Sequence, residues 1–170
     1  MDFLPLFFKV SDSSALVVGS TESAKRKVEL LNKSGCKVLW LGASKDAMAD
    51  MSPSLVSSID SLSDKHWSTV QFVVAAQGDA EDDEALAKKA KAKNLPVNVV
   101  NNAALSTFVF PSIIDRSPVI AAVSSSGELP VLTRLLRSRL ESTIPHAFGR
   151  MATIATEYRS KVKGSVQHLN

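Results

Sequence analysis

The chain has 170 residues, 45% of them hydrophobic and 22% charged, with a formal net charge of +3 and one cysteine, Cys36. This composition is typical of one soluble globular domain with at most a small appendage, and it excludes a wholly disordered chain. A lone cysteine excludes an internal disulfide and a multi-cysteine metal site, and no apolar run reaches the roughly 18 residues of a membrane span.

The first elements form a strand–helix–strand unit. Ala15–Val18 is an apolar run that predicts a short buried strand ending at Gly19. Apolar residues three to four positions apart predict a helix over Ser23–Lys33, and Lys37–Leu41 predicts the next strand. A strand, a helix and a second strand within this length are typical of a βαβ unit.

The middle of the chain continues the alternation. Met51–Ser63 is rich in serine and aspartate and predicts a loop with one short strand near Val56. Strands are predicted over Gln71–Ala76 and Val97–Val100, and a helix between them over Asp82–Lys93, with acids at its start and lysines at its end. Strands that alternate with helices indicate a mainly parallel sheet covered on both faces.

The character of the sequence changes after Pro111. The predicted elements are a strand over Val119–Val123, a polar turn over Ser124–Gly127, a helix from Pro130 to Pro145, and a helix over Ala147–Val162. We therefore expect an α/β domain with a mainly parallel sheet over residues 1–113, followed by a smaller, mostly helical region over residues 114–170.

The turn after the first strand resembles a phosphate-binding turn. The residues 19–24 read Gly-Ser-Thr-Glu-Ser-Ala, against the dinucleotide fingerprint G-x-G-x-x-G/A. Thr21 replaces the middle glycine, and no acid follows Leu41 at the end of the second strand. The pattern leaves open a nucleotide site and an ordinary strand–helix turn. The candidate cofactor-binding residues are Gly19, Thr21, Glu22, Ser23, Ala43 and Ser44.

Positive charge is concentrated at the end of the chain. Seven bases and two acids lie between Val131 and Asn170, an excess of five positive charges. This distribution suits an anionic partner, whether nucleic acid, an acidic membrane surface or a polycarboxylate, and a solvated helix face has the same composition. The three histidines are scattered without metal-ligand spacing, so we expect no preformed metal site in the protein.

Several stretches match a known family. They are Met1–Pro5, Val17–Lys27, Asn98–Val100, Phe110–Pro118, Ala122–Ser125, Pro130–Leu132 and Leu140–Ser142. With them the chain resembles, over essentially its whole length, the N-terminal dehydrogenase and chelatase module of siroheme synthase and the related single-module precorrin-2 dehydrogenases. The stretch Phe110–Pro118 is the most specific of these motifs.

The resemblance implies an NAD-binding Rossmann domain over residues 1–113 and a dimerisation region with a tetrapyrrole cleft over residues 114–170. It implies a cytoplasmic homodimer that oxidises precorrin-2 to sirohydrochlorin with NAD and then inserts ferrous iron. The absence of a basic region near Met1 also argues against a secretory signal. Both tetrapyrroles carry many carboxylates, which makes the basic last part of the chain a natural substrate surface, and neither nucleic acid nor membrane is expected as a partner.

One residue departs from the family at the position that matters for catalysis. The family motif places an aspartate, implied to be the general base, directly after Asn-Val-Val, whereas this chain has Asn101. A neutral amide cannot usefully accept a proton, although it can orient a substrate by hydrogen bonding. The alternative function is therefore a tetrapyrrole-binding homologue with reduced catalysis.

Three further residues are candidate substrate ligands. Ser124 and Ser125 could line the cleft, and the family has a serine at the second position that can carry phosphate; an exposed turn is the alternative. Arg116 could contact the substrate or form a structural ion pair with Asp115.

Overall fold

The computed structural model describes residues 2–42, 54–56, 59 and 62–167. It divides into two compact units, Met1–Val109 (unit 1) and Phe110–Asn170 (unit 2). No helix among the residues that are described has both the length and the apolar character needed to cross a membrane.

Unit 1 is built on a parallel sheet. Its described strands are β1 (Ser14–Val18), β2 (Lys37–Leu41), β3 (Ser54–Val56), β4 (Val70–Ala75) and β5 (Val97–Val99). Its described helices are α1 (Glu22–Lys33), α2 (Asp64–Thr69) and α3 (Ala80–Ala92). The strands are ordered β3-β2-β1-β4-β5 and every pairing is parallel. This is the Rossmann-like order, which confirms the predicted fold class.

The centre of the sheet is occupied by a strand that is buried along its whole length. All five residues of β1 are buried, and β1 pairs with β2 on one side and with β4 on the other. The chain runs from β1 outward to β2 and β3, and then returns to β4 beside β1. The carboxyl ends of β1 and β4 therefore flank the topological switch point, where open α/β sheets bind their ligands.

The helix α1 follows the predicted periodicity. Ala24, Val28 and Leu31 are its buried residues, as their spacing predicted. It begins one residue before the predicted start because Thr21 is the N-cap and Glu22 is the first helical residue.

The helix α2 was not predicted from the sequence. It has only six residues, which is too short for a clear apolar period, and it follows a serine- and aspartate-rich stretch. The Ser63 amide donates to Nδ1 of His66 at 3.2 Å, which caps the helix, and the indole of Trp67 is only 8% exposed. The short strand expected near Val56 is present as β3.

The helix α3 begins at Ala80, two residues before the predicted start at Asp82. Its N-cap is Asp79, whose Oδ1 accepts hydrogen bonds from the amides of Glu81 at 2.9 Å and Asp82 at 3.1 Å. The capping carboxylate satisfies two first-turn amides that have no partner within the helix, and this stabilises the start of α3.

The segment after β5 turns back along that strand. The Val97 amide donates to Oγ1 of Thr107 at 2.7 Å, and the Thr107 amide donates to the Val97 carbonyl at 2.8 Å. Nδ2 of Asn98 donates to the Phe108 carbonyl at 3.0 Å. These bonds satisfy polar groups of β5 and fix the loop at its carboxyl end, which contains Asn101.

Unit 2 combines a hairpin with two helices. Its described elements are the antiparallel strands β6 (Ser112–Arg116) and β7 (Val119–Val123), and the helices α4 (Pro130–Thr143) and α5 (Ala147–Gln167). Both helices and β7 were predicted, and Pro130 starts α4 as expected. The strand β6 was missed because only Ile114 among its residues is fully buried, so the run has no apolar core to recognise. The predicted domain boundary at residue 113 falls inside β6, whereas the compact units meet at Val109 and Phe110.

We predict that Gly149→Ala destabilises unit 2 despite the higher helix propensity of alanine. A Cβ at residue 149 would lie 2.3 Å from the Arg116 carbonyl oxygen and 2.8 Å from that of Ser117, both of them backbone atoms that cannot rotate away. Overpacking of this kind typically costs about 1–3 kcal/mol. Urea denaturation measures the free energy of unfolding, with Ser138→Ala on the exposed face of α4 as the control. A gain in stability from Gly149→Ala would contradict the close approach.

Candidate functional site

The turn after β1 requires glycine at residue 19. The φ angle of Gly19 is +132°, and a Cβ on this residue would lie 2.0 Å from the carbonyl oxygen of Ala76. The Gly19 amide donates to the Leu41 carbonyl at 2.9 Å. The end of β1 is therefore in contact with the ends of both neighbouring strands, β2 and β4, at the carboxyl edge of the sheet.

Thr21 uses its hydroxyl entirely within the protein. Oγ1 of Thr21 accepts from the Ala24 amide at 3.2 Å and donates to the Ala76 carbonyl at 2.8 Å. Its φ angle is −70°, so this position needs none of the backbone freedom of glycine. Thr21 replaces the middle glycine of the fingerprint, and the structure shows that it caps α1 and ties the turn to the end of β4.

The loop between β4 and α3 lies against the turn that contains Thr21. A Cβ at Gly78 would lie 3.2 Å from Cγ2 of Thr21, so the loop packs directly against the turn. The carboxylate of Asp83, which is 6% exposed, accepts a hydrogen bond from the Gln77 amide at 3.0 Å. This buried carboxylate is a feature that the sequence analysis missed, because Asp83 lies in an acidic run and nothing distinguishes it from the exposed acids beside it.

The turn at Gly19 and the first amides of α1 fit the pyrophosphate of a dinucleotide. The amides of Glu22 and Ser23 are in the first turn of α1, where a helix leaves its N–H groups without an intrahelical acceptor and carries a partial positive charge. The Glu22 carboxylate is exposed and pairs with Nε of Arg26 at 3.4 Å along the helix. Ala24 is completely buried and takes the place of the last small residue of the fingerprint, which permits close helix–strand packing.

The other candidate cofactor residues follow β2. Gly42 has a φ angle of +92°, and a Cβ there would lie 3.2 Å from the carbonyl carbon of Gly19. The chain beyond β2 thus leaves the sheet beside the turn. Ala43 and Ser44, which the sequence analysis assigned to the cofactor, lie outside the described residues.

Trp40 contributes to the turn as well as to the core. Its indole is 1% exposed, as expected for core packing, and Nε1 donates to the Gly19 carbonyl at 2.9 Å. Strand periodicity places this side chain on one face of the sheet but says nothing about its acceptor, so the bond could not be predicted from the sequence.

Asn101 lies just beyond β5, on the same carboxyl edge of the sheet. It is exposed and has a φ angle of +61°, a conformation that asparagine tolerates better than most residues. The neighbouring Asn102 has a different role, since its Oδ1 accepts from the Leu105 amide at 3.2 Å and shapes the loop. The amide of Asn101 is thus presented at the surface, where an aspartate would present a carboxylate.

The candidate substrate residues of unit 2 are engaged in local structure. Nε of Arg116 donates to the Ile144 carbonyl at 3.0 Å, and Nη1 donates to the Asp115 carbonyl at 3.1 Å. Oγ of Ser124 accepts from the Ser126 amide at 3.1 Å. Oγ of Ser125 accepts from the Leu129 amide at 3.1 Å and from Oγ1 of Thr133 at 2.9 Å. Ser125 therefore stabilises the start of α4, and Arg116 braces the hairpin against the α4–α5 connection.

Two titratable groups of unit 1 are shifted by burial. Desolvation lowers the pKa of Lys27 on α1 to about 8, because burial makes the charged ammonium less stable than that of an exposed lysine. Burial raises the pKa of the Cys36 thiol, so this cysteine is not activated as a nucleophile. Within the part of the chain that the structure describes, no three histidine, cysteine, aspartate or glutamate side chains are grouped as a metal site.

Comparison with known proteins places the chain in a family. A family model described as "Putative NAD(P)-binding" matches residues 6–112, which cover nearly all of unit 1. The match agrees with the position and geometry of the turn at Gly19.

Two curated relatives extend the similarity to the whole chain. The siroheme synthase of Hahella chejuensis (strain KCTC 2396) is 46% identical over 99% of this chain, and that of Methylobacillus flagellatus is 42% identical over 96%. These matches confirm the resemblance to siroheme synthase. The chain spans only 37% and 36% of the length of these relatives.

A solved structure shares the fold. The structure of "SirC, precorrin-2 dehydrogenase" superposes with a TM-score of 0.64, covering 93% of this chain and 79% of that chain at 17% identity. At this identity the match supports the fold, and it confirms a Rossmann-like sheet followed by a largely helical part.

We predict that Thr21→Val destabilises unit 1 by about 1–2 kcal/mol. Valine keeps the branched shape but removes the acceptor for the Ala24 amide and the donor to the Ala76 carbonyl. Urea denaturation followed by circular dichroism measures the loss. Thr21→Ser keeps both hydrogen bonds and should retain most of the stability; equal losses in the two variants would show that the hydroxyl is unimportant.

Proposed function

Because this chain belongs to the NAD(P)-binding family matched over residues 6–112, we propose that it is an NAD-dependent dehydrogenase that oxidises precorrin-2 to sirohydrochlorin. The observation that carries the proposal is a dinucleotide-type turn at the switch point of a chain that is 46% identical to a siroheme synthase over 99% of its length. The name of the structural neighbour, a precorrin-2 dehydrogenase, supports the same reaction.

The residues of unit 1 would bind and orient the cofactor. The first-turn amides of Glu22 and Ser23 face the anion, while Gly19 and Thr21 hold the turn against the end of β4. NAD⁺ supplies the acceptor for the hydride that leaves the macrocycle. The oxidation also releases a proton, which a basic group must accept.

With Asn101 in place of a general base, proton transfer would be the slow step of the reaction. The residue lies at the carboxyl end of β5, where the resemblance implies an aspartate as general base, and a neutral amide has no useful basicity. Asn101 would orient the substrate through hydrogen bonds while solvent receives the proton. The alternative function, a binding homologue with reduced catalysis, differs only in how much turnover remains.

Unit 2 would bind the anionic substrate. The exposed bases of α4 and α5 are Arg134, Arg137, Arg139, Arg150, Arg159 and Lys161. Nη2 of Arg137 pairs with Oε1 of Glu141 at 3.1 Å, but bases outnumber acids on these two helices. A surface of this charge favours the carboxylates of a tetrapyrrole.

Iron insertion is proposed as a second activity. Ferrous iron would be a substrate, coordinated mainly by the pyrrole nitrogens of sirohydrochlorin, so the protein would need no cluster of metal ligands of its own. The corresponding test is anaerobic incubation of the protein with sirohydrochlorin and Fe²⁺, followed by absorption spectroscopy for siroheme above the uncatalysed rate.

We also propose that the protein is a homodimer joined through α4 and α5. These helices and the residue before them expose large apolar side chains: Leu129, Val131, Leu132, Leu135, Leu136, Phe148, Met151, Ile154, Tyr158 and Val162. So large an exposed apolar surface is unusual for a monomer and typical of an interface. Met151, Ile154 and Tyr158 lie three to four residues apart and form one stripe along α5.

The activity is tested with purified protein, precorrin-2 and NAD, by following the formation of sirohydrochlorin. We predict that Asn101→Asp raises the turnover number by roughly 10²-fold or more, the usual contribution of a general base. Asn102→Asp is the matched control, because its carboxylate still accepts from the Leu105 amide, and its rate should stay near that of the unmodified protein. No product above background from either the unmodified protein or Asn101→Asp would reject the dehydrogenase. Equal rates in those two proteins would reject the assignment of residue 101 to proton transfer.

For the dimer, we predict that Ile154→Lys produces monomers, whereas the unmodified chain elutes at twice the monomer mass. The substitution places a charge in the apolar stripe of α5. Thr156→Lys, on the opposite side of the same helix, adds the same charge outside the stripe and should leave the dimer intact. Light scattering coupled to size-exclusion chromatography distinguishes the two. A monomeric unmodified protein would reject the proposal.

A further inference from the structure

We propose that Trp40 is a positioning residue of the dinucleotide-binding turn: its indole N–H fixes the orientation of the Gly19–Ser20 peptide. The inference rests on the proposed function, since it concerns how the same turn binds NAD. It goes further by assigning a role to a side chain that the fingerprint does not include.

The hydrogen bond joins two buried groups. Trp40 lies on β2 opposite Val17, is 1% exposed, and donates from Nε1 to the Gly19 carbonyl at 2.9 Å. An indole has one donor and no acceptor, and a buried one almost always finds a partner. Here that partner is the first glycine of the turn, so the largest fully buried side chain among the described residues is connected directly to the candidate site.

The bond determines which way the next amide points. A trans peptide is planar, with its C=O and N–H directed to opposite sides. Since the Gly19 carbonyl is directed at Trp40, the Ser20 N–H is directed away from β2. A flipped peptide would leave the indole without an acceptor and would turn the Ser20 N–H toward a buried ring.

Other contacts also hold Gly19, and Gly42 lies close to its carbonyl group, but the hydrogen bond to the carbonyl oxygen comes from Trp40. The Gly19 amide is bonded to the Leu41 carbonyl, and its Cα is pressed against the Ala76 carbonyl, so the residue itself is held in place. Neither contact involves the Gly19 carbonyl oxygen. Glycine permits an unusually wide range of backbone angles, so rotation of the peptide that follows needs its own restraint.

An anion site depends on amides that are already oriented before the ligand arrives. When only part of the population has the competent orientation, the apparent dissociation constant rises in proportion. Trp40→Phe keeps an aromatic ring in the core but removes the donor. From the usual net contribution of one hydrogen bond, we expect NAD to bind roughly three- to tenfold more weakly to this variant.

The experiment compares calorimetric titrations of NAD into the unmodified protein, Trp40→Phe and Trp67→Phe. Trp67 is the other tryptophan of the chain; it is also buried, but on α2, and it contacts Lys93 instead of the turn. It therefore serves as a matched control, and its variant should retain the affinity of the unmodified protein. Thermal unfolding of all three proteins separates loss of stability from loss of affinity.

Fluorescence provides a second readout. A tryptophan that only packs the core would give the same emission with and without NAD. In Trp67→Phe the only remaining tryptophan is Trp40. Because its indole is bonded to the binding turn, its emission, excited at about 295 nm to avoid the adenine, should change when NAD saturates the protein.

Three results would overturn the proposal. If Trp40→Phe is folded and binds NAD as tightly as the unmodified protein, Trp40 only packs the core. If Trp40→Phe does not fold, unchanged Trp40 emission in NAD-saturated Trp67→Phe leads to the same conclusion. If the unmodified protein binds neither NAD nor NADP, the proposed function fails and this inference fails with it, an outcome that the first titration distinguishes from the other two.

Discussion

The contact between Gly19 and the carbonyl oxygen of Ala76 is the constraint on which the candidate site depends. A single carbon atom added to Gly19 would approach that oxygen to 2.0 Å, so no other residue allows β1 and β4 to end so close together. The hydroxyl of Thr21 bonds the same carbonyl from the next turn of the chain. The start of α1 is thereby held at the switch point of the sheet, where its unpaired amides can meet an anion.

The two departures from the family pattern have different physical consequences. At Thr21 a side chain replaces a glycine hydrogen, and its hydroxyl has two partners inside the protein, so the turn is tied to β4 and the helix gains a cap. At Asn101 an amide stands where a carboxylate is expected, and it lies exposed at the end of β5. The change at Thr21 is compatible with cofactor binding because it affects only how the turn packs. The change at Asn101 affects proton transfer, because an amide is not basic wherever it is placed.

Unit 2 exposes large apolar side chains that a self-sufficient fold would bury. Among the residues of unit 2 whose burial is described, Ile114 is the one large hydrophobic residue that is fully buried, while leucines and an isoleucine of α4 and α5 remain exposed beside arginines. An apolar stripe flanked by positive charge suits the proposed subunit interface and the proposed anionic substrate. Ser125 and Arg116 contribute to this unit at the two ends of α4, where Ser125 accepts from the Leu129 amide and Arg116 donates to the Ile144 carbonyl.

The sequence by itself determined the α/β order, the buried face of α1, the acidic start of α3 and the resemblance to siroheme synthase, because these depend on local periodicity, local charge and motif letters. It missed α2, which is too short to show a period, and β6, which lacks an apolar run. It also could not reveal that Trp40 holds the Gly19 carbonyl or that Asp83 holds the Gln77 amide. The side-by-side packing of β1 and β2 brings Trp40 to Gly19, which is 21 residues away in the chain, and Asp83 cannot be told from the acids beside it until its burial is known.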